Sequence, residues 1–278
     1  MFGHPKAFST RETVVGCRWD GERSVTSNDT IAIETAVALV YNGVPHVVMM
    51  ATPEDIEDFV LGFSLSEGII HKPDELSGVR IRMLKDGIEA NIDIAGVRFR
   101  ELDRKRRNLI GRIGCGLCGA QTLAQAVRHP PPVATSGSIS PVVLQEAMSG
   151  LSETQSLHGM TGAVHAAAWI DRAGRIQLTR EDVGRHNALD KLIGAMIGKK
   201  MLFGDGAALI TSRASYEMVQ KSAVVGIEIL CAISAPTALA VRMAQETGVT
   251  LVAFARGTRH TVYAHSERIA IARKSVAV

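Results

Sequence analysis

Residues 114–119, with the sequence GCGLCG, place two thiols three positions apart in a run rich in glycine. Glycine disfavours a helix interior by about 1 kcal/mol per residue, so the pattern predicts a loop carrying Cys115 and Cys118. Paired thiols in a reducing compartment serve either as half of a zinc site or in redox and group-transfer chemistry. A structural zinc needs four ligands, and the other cysteines, Cys17 and Cys231, are isolated in the sequence. The spacing therefore favours transfer chemistry, and a zinc-stabilised interaction protein is the alternative.

A basic run, RKRR at 104–107, precedes this loop by a few residues. Nearby cations stabilise a thiolate, so the run is suited to lowering the pKa of a cysteine or to docking a partner. A solvated loop is an equally simple interpretation of the same charges.

A second polar run, REDVGRHNALDK at 180–191, precedes apolar residues that repeat at helical spacing. The pattern predicts an amphipathic helix that begins near Asn187. A helix N-terminus attracts anions through its free amides and its dipole, so Arg185, His186 and Asn187 are candidates for holding a phosphate or a polar ring. An elaborate cap held by salt bridges is the alternative.

Arginines also follow two predicted strands, at the ends where ligands bind in an open α/β sheet. Arg213 follows the strand predicted at 207–211, and the segment FARGTRH at 254–260 overlaps the end of another at 249–255. Together with Arg185 they predict a polyanionic ligand such as a nucleotide.

His165 is either a ligand contact or a satisfied buried histidine. A zinc deaminase needs a glutamate two residues after this histidine, and Ala167 stands there, so deaminase activity is not expected.

The elements that must position these residues differ between the two halves of the chain. In the first half, apolar segments flank the turn formers Asn42-Gly43 and Asp86-Gly87, which predicts two hairpins. Thr52 is predicted to cap a helix that follows Pro53. In the second half, strands alternate with helices, which predicts a layered α/β domain. Its strands are predicted at 164–170, 175–179, 207–211, 228–233 and 249–255, with helices beginning near 187, 215 and 237.

The composition bounds the fold and the function. With 278 residues, of which 46% are hydrophobic, the chain has material for two domains, which we place at 1–130 and 131–278. A net charge of +3 and an aromatic content of 4% argue against a nucleic-acid-binding surface. The N-terminus shows no secretory signal, and the most apolar stretch, 222–241, contains Glu228 and Pro236. We expect a soluble cytoplasmic protein that does not bind membranes.

Taken together, these segments resemble the formate dehydrogenase accessory protein family, FdhD. The resemblance runs over most of the chain and rests on motifs that occur here in the family's order. These motifs are Thr52-Pro53, Gly62-Phe63, Glu67-Gly68-Ile69-Ile70, residues 115–119 (CGLCG), Thr161-Gly162, His165-Ala166, residues 181–188 (EDVGRHNA), Asp190-Lys191, Ala235-Pro236-Thr237, Arg256 and Tyr263. The sequence departs from the family at Thr211-Ser212-Arg213, where Ser-Gly-Arg is common, and at Glu34-Thr35-Ala36, where Glu-x-Pro is common.

The resemblance implies a fold and a function. The fold is a C-terminal domain similar to cytidine deaminases, with a mixed sheet, and a smaller β-rich N-terminal domain with one or two helices. The function is that of a sulfur carrier, an enzyme in which Cys115 receives a persulfide from a cysteine desulfurase. The sulfur then passes to the molybdenum bis(guanine dinucleotide) cofactor of formate dehydrogenase, and Cys118 is expected to assist its release.

The resemblance also assigns a cofactor-binding segment, 254–259. With the candidates above, the residues expected to bind the cofactor are Asp182, Arg185, His186, Asn187, His165, Arg213, Phe254, Ala255, Arg256, Gly257, Thr258 and Arg259. A guanine nucleotide is expected to mimic the cofactor, no permanent metal is expected, and the family suggests a homodimer. A chaperone that delivers the cofactor without moving sulfur is a further alternative.

Overall fold

The computed structural model describes residues 8–110 and 128–270. The first of these ranges forms a long antiparallel hairpin and a four-stranded sheet with spatial order β4-β3-β6-β5, in which β3 and β6 are parallel and the outer pairs antiparallel. Helix α1 connects β4 to β5, and α2 follows β6. The elements are β1 (Arg11–Asp20), β2 (Arg23–Ala32), β3 (Thr35–Tyr41), β4 (Val44–Ala51), α1 (Ile56–Ser66), β5 (Leu76–Leu84), β6 (Gly87–Ile94) and α2 (Gly96–Ile110).

The second range forms a six-stranded mixed sheet with order β12-β11-β10-β9-β7-β8. Strands β9, β10 and β11 are parallel, whereas β7 and β12 run antiparallel to their neighbours. The elements are α3 (Pro141–Gly150), α4 (Ser156–Thr161), β7 (His165–Asp171), β8 (Ile176–Asp182), α5 (Arg185–Gly198), β9 (Gly206–Ile210), α6 (Tyr216–Val225), β10 (Ile229–Ala232), α7 (Ala238–Thr247), β11 (Thr250–Arg256) and β12 (Arg259–Ala264).

Helices cover both faces of the six-stranded sheet. Alternate strand residues pack with α5, α6 and α7 on one face, where Trp169 is buried. The intervening residues, among them Cys231, pack with α3 on the other face. The predicted α/β class is confirmed. The kinship with deaminases and the boundary at residue 130 stay predictions.

Both hairpins predicted in the first half of the chain form. Asn42 and Gly43 take the positive φ angles of a tight turn, 47° and 80°. Asp86-Gly87 joins β5 to β6. The alternation of apolar and polar residues predicts this hairpin over residues 79–99, which extends too far, because residues from Gly96 onward are helical. The basic run at 104–107 belongs to this helix, so its interpretation as a solvated loop is wrong.

Two local predictions about helices need correction. Thr52 does not cap α1, whose N-cap is Asp55 in the left-handed region at φ 52°. The Thr52 hydroxyl instead accepts a hydrogen bond at 3.1 Å from the backbone amide of Val183, which follows the end of β8 and is distant in sequence. Helix α5 is not amphipathic, because its residues from Asn187 to Met196 are all buried between β7 and β8 on one side and α1 on the other.

Two glycines allow α1 and α5 to pack at close range. A Cβ added to Gly62 in α1 would lie 1.7 Å from the Asp190 carbonyl oxygen, and one added to Gly194 in α5 would lie 2.0 Å from the Asp58 carbonyl oxygen. The backbones of α1 and α5 are therefore in direct contact at Gly62 and again at Gly194. This contact joins the layer of the four-stranded sheet to that of the six-stranded sheet.

Candidate functional site

The candidate ligand-binding residues that the structure describes lie along one edge of the six-stranded sheet. Strands β9, β10 and β11 are parallel and all end there, β8 ends there at Asp182, and β7 begins there, with His165 opposite Asp182. We call it the carboxyl edge, formed by His165 and by the residues that follow the ends of β8, β9, β10 and β11. Ligands of α/β sheets bind at such edges.

His165 is half-buried at the start of β7. The neighbouring backbone is held by Thr211, whose hydroxyl accepts a hydrogen bond from the Ala166 amide at 2.8 Å. Burial, and next the charge of Arg185, lower the pKa of the His165 imidazole below its ordinary value of 6.5. The ring is therefore neutral near pH 7 and can donate one hydrogen bond and accept another.

Arg185 and His186 begin helix α5 beside the first turn of α6. The His186 Nε2 atom lies 2.8 Å from a carboxylate oxygen of Glu217, and this close contact lowers the pKa of Glu217. Within the described residues, two atoms near this pair are buried without a hydrogen-bond partner: Arg185 Nε and Ser215 Oγ. Buried polar groups are costly when unpaired, so the site has donor capacity that a polar or anionic ligand would satisfy.

Asp182 and Asn187, also predicted to bind cofactor, direct their polar groups into the protein. The Asp182 carboxylate accepts hydrogen bonds from the amides of Thr52 at 3.0 Å and Gly184 at 2.8 Å, and from Asn187 Nδ2 at 3.0 Å. Lys191 lies 2.7 Å from the same carboxylate. These contacts match the capping alternative for this motif, and they hold the turn that presents Arg185 and His186. The sequence did not predict that Thr52 and Lys191 would hold the Asp182 carboxylate, although both residues belong to motifs on which the family resemblance rests.

The turn between β11 and β12 contains the other predicted segment, 254–259. Phe254 takes a left-handed φ of 52° and its side chain is 46% exposed. The Arg256 Nε atom donates to the Ile233 carbonyl at 2.9 Å, which ties the turn to the end of β10. Arg256, Gly257, Thr258 and Arg259 are exposed, whereas Ala255 is buried. Arg213 is likewise exposed after the end of β9. The carboxyl edge thus presents guanidinium groups and an aromatic ring to solvent.

The two cysteines of the CGLCG motif, Cys115 and Cys118, lie outside the described residues. Of the other two, Cys17 is exposed on β1 and Cys231 is buried in β10, where burial raises the pKa of its thiol. Among the described residues, no helix combines the length and apolar character needed to cross a bilayer.

Fold and site define an α/β protein with a candidate anion-binding edge at the carboxyl ends of a mixed sheet. Residues 32–270 match the model of the FdhD/NarQ family. The chain is 49% identical over 260 residues to the sulfur carrier protein FdhD of Cupriavidus necator, covering 94% of this chain and 90% of that one. It is 50% identical to the protein of the same name from Xanthomonas euvesicatoria, covering 91% and 90%.

A structural comparison agrees. A crystal structure from Desulfotalea psychrophila, described as that of a formate dehydrogenase accessory protein, superposes with a TM-score of 0.73. The match covers 94% of this chain and 100% of that one at 24% identity, which supports a shared fold. The chain belongs to the FdhD/NarQ family, as the resemblance of its motifs predicted.

Proposed function

We propose that this protein is a sulfurtransferase that carries sulfur as a persulfide on Cys115. It accepts the sulfur from a cysteine desulfurase and delivers it to the molybdenum bis(guanine dinucleotide) cofactor of a formate dehydrogenase. Relatives at about half identity named sulfur carrier proteins support the carrier function. The observation that supports the cofactor part is the carboxyl edge, which contains the unpartnered Arg185 Nε atom, His165 with its lowered pKa, and exposed arginines at positions 213, 256 and 259.

Loading is a thiol exchange. The Cys115 thiolate attacks the terminal sulfur of the donor's persulfide, one S–S bond forms as another breaks, and the donor cysteine leaves as a thiolate. No net oxidation occurs, because the sulfane sulfur keeps its oxidation state.

Delivery as a sulfido ligand requires two electrons for the sulfane sulfur. The Cys118 thiolate supplies a route: it attacks the Cys115 sulfur, a disulfide forms between the two cysteines, and the terminal sulfur departs as sulfide to the metal. The two thiolates are oxidised as the sulfane sulfur is reduced. A dithiol reductant then reopens the disulfide.

The cofactor is the substrate of this transfer. Its guanine nucleotide and diphosphate groups suit the arginines of the 254–259 turn and the Arg185 and His186 pair, because guanidinium groups bind phosphate in bidentate geometry. His165 would contribute a neutral hydrogen-bonding group. We further propose a homodimer located in the cytoplasm, which light scattering and cell fractionation test.

The deciding experiment is intact mass spectrometry after incubation with a cysteine desulfurase and cysteine. The proposal expects an adduct of about 32 Da, one sulfur atom, that maps to Cys115 and is absent from Cys115→Ser. Cys17→Ser is the matched control and keeps the adduct. Cys115→Ser should bind guanine nucleotide normally but leave formate dehydrogenase inactive. If Cys115→Ser still yields fully active enzyme, the protein is a cofactor chaperone and the carrier proposal fails.

A further inference from the structure

The hairpin of β1 and β2 is a sheet of its own, separate from the two larger sheets, and each of its strands has ten residues. Helix α4 packs against β2, and at the base of the hairpin the Arg11 guanidinium contacts the sulfur of Met160 in α4. A two-stranded hairpin is at best marginally stable in water, and further strands stabilise it. The hairpin therefore has reason to extend its sheet with a partner.

The outer edge of β1 is open to another strand. Eight of its ten residues are exposed, and within the described residues β1 pairs with β2 alone. Proline, lysine and bulges commonly protect edge strands from pairing. Strand β1 contains neither proline nor lysine, and its ladder with β2 runs without a bulge. Its edge can therefore accept a strand through main-chain hydrogen bonds.

The hairpin also exposes apolar side chains at its tip and at its base. Val15 and Trp19 are four positions apart in β1, so they lie on the same face, and they are 73% and 67% exposed. Cys17, between them, is exposed as well. At the base, Met160 is 44% exposed. Exposed apolar groups in such a cluster are typical of an interaction surface.

The charges of β1 are complementary to those of a second β1 that runs antiparallel to it. With Val15 opposite the partner's Val15, Glu12 lies opposite the partner's Arg18, because each is three positions from Val15. A two-fold axis repeats this contact, so two ion pairs form. The neighbouring symmetric register, centred on Gly16, would place Glu12 opposite the partner's Asp20, and like charges directly opposite are unfavourable. The charges therefore favour the register centred on Val15.

The same register gives the exposed tryptophan a partner. Trp19 lies opposite the partner's Arg11, because each is four positions from Val15, and the partner's Met160 lies beside that arginine. A guanidinium group over an indole ring and a sulfur near its edge are both favourable contacts. The tip of each hairpin thus covers the exposed base of the other.

We propose that β1 is an interface between two copies of this chain, which pair edge to edge about a two-fold axis at Val15. The two hairpins form one continuous antiparallel sheet with the order β2-β1-β1-β2. The same patch of both copies is buried, as in a closed two-fold dimer. This inference rests on the homodimer of the proposed function and is independent of its sulfur chemistry.

The test is a charge swap, with the dissociation constant of the dimer measured by analytical ultracentrifugation. Glu12→Arg and Arg18→Glu each place like charges opposite one another twice across the axis. Each variant alone should raise the dissociation constant by about tenfold or more. An equimolar mixture of the two variants should restore the dimer, because both cross-strand pairs then have opposite charges. Lys85→Glu is the matched control, since it reverses an exposed charge in the turn between β5 and β6, and it should keep the wild-type constant.

A cysteine substitution tests the register. Thr13 is exposed and lies opposite the partner's Cys17, because each is two positions from Val15. Under mild oxidation Thr13→Cys should give a covalent dimer on a non-reducing gel, with a disulfide that peptide mapping assigns to positions 13 and 17. Within one chain these positions are about 13 Å apart along the strand, too far for a disulfide. The wild type should not form this dimer through Cys17, which faces a threonine.

The outcomes separate the interface from the proposed function. If the wild type is a dimer and the single variants dimerise as tightly, or if their mixture fails to restore the dimer, the interface at β1 is wrong and the homodimer stands. A wild type that is monomeric overturns the interface and the homodimer together. Sulfur uptake by the same wild-type sample tests the carrier proposal independently of either result.

Discussion

The ammonium of Lys191 lies 2.7 Å from the carboxylate of Asp182, and neither side chain has any exposure to solvent. Lys191 also donates to the Thr52 carbonyl at 2.9 Å. The pair therefore joins α5 and the end of β8 to the segment that follows β4. This ion pair lies directly beneath the turn that presents Arg185 and His186. It therefore stabilises the fold and also supports the carboxyl edge.

Removal of this cation should destabilise the protein strongly. Lys191→Met keeps most of the side-chain volume but leaves Asp182 as a buried charge without a counterion, which costs about 3–5 kcal/mol. Urea unfolding measures the loss. Arg175→Met, which breaks the exposed pair with Asp171, should cost about 1 kcal/mol or less. If Lys191→Met matches this control, the buried pair does not stabilise the fold.

The contact between α1 and α5 should not tolerate a methyl group. Gly194→Ala places a Cβ against the Asp58 backbone, and the helices must separate, at a cost of about 1–3 kcal/mol or more. Gly198→Ala, in the same helix, meets no atom within 4 Å and should be neutral or slightly stabilising. Thermal unfolding of both variants decides the matter. Equal stability would mean that the helices are not in backbone contact.

The His165 imidazole should titrate below pH 6.5 in the folded protein, because burial and then Arg185 disfavour its charged form. The unfolded chain binds the proton more tightly. The stability associated with the neutral ring is therefore complete above pH 6.5 and is lost as the pH falls through the folded pKa. Histidine NMR titration gives the midpoint directly. Arg185→Gln should raise it towards 6.5, whereas Arg175→Gln should leave it unchanged; a midpoint at or above 6.5 in the wild type contradicts the assignment.

The turn between β11 and β12 should account for part of the nucleotide affinity. Arg256→Ala and Arg259→Ala each remove one guanidinium group and should weaken guanosine diphosphate binding by about ten- to a hundredfold, since a charged hydrogen bond contributes about 1.5–3 kcal/mol. Isothermal calorimetry is the measurement. Unchanged affinity in both variants would remove the turn from the site. Arg256→Ala also breaks the tie to Ile233, so Arg259→Ala is the cleaner of the two variants.

Local sequence patterns predicted much of the fold. The turn at Asn42-Gly43 formed because both residues tolerate positive φ, and the apolar runs of the second half became the buried strands of the larger sheet. The hairpin of β1 and β2 escaped prediction because its side chains are mostly exposed, so no buried face imposes an apolar alternation. Thr52 had a capping pattern, but its partners came from Asp182 and Val183, far away in sequence.

By itself, the sequence determined the chemistry available to this protein: two thiols in a glycine-rich motif and arginines placed after strands, because residue type and spacing are local properties. It also carried enough motifs to identify the family. Only the tertiary structure decided which polar residues face a ligand. Asp182 and Asn187 turn inward because α5 is packed on both sides and its cap must be satisfied internally, whereas Arg185 and His186 remain at the carboxyl edge. Burial depends on contacts between segments that are distant in sequence. Residue spacing alone therefore could not distinguish the inward-facing Asp182 and Asn187 from Arg185 and His186 at the carboxyl edge.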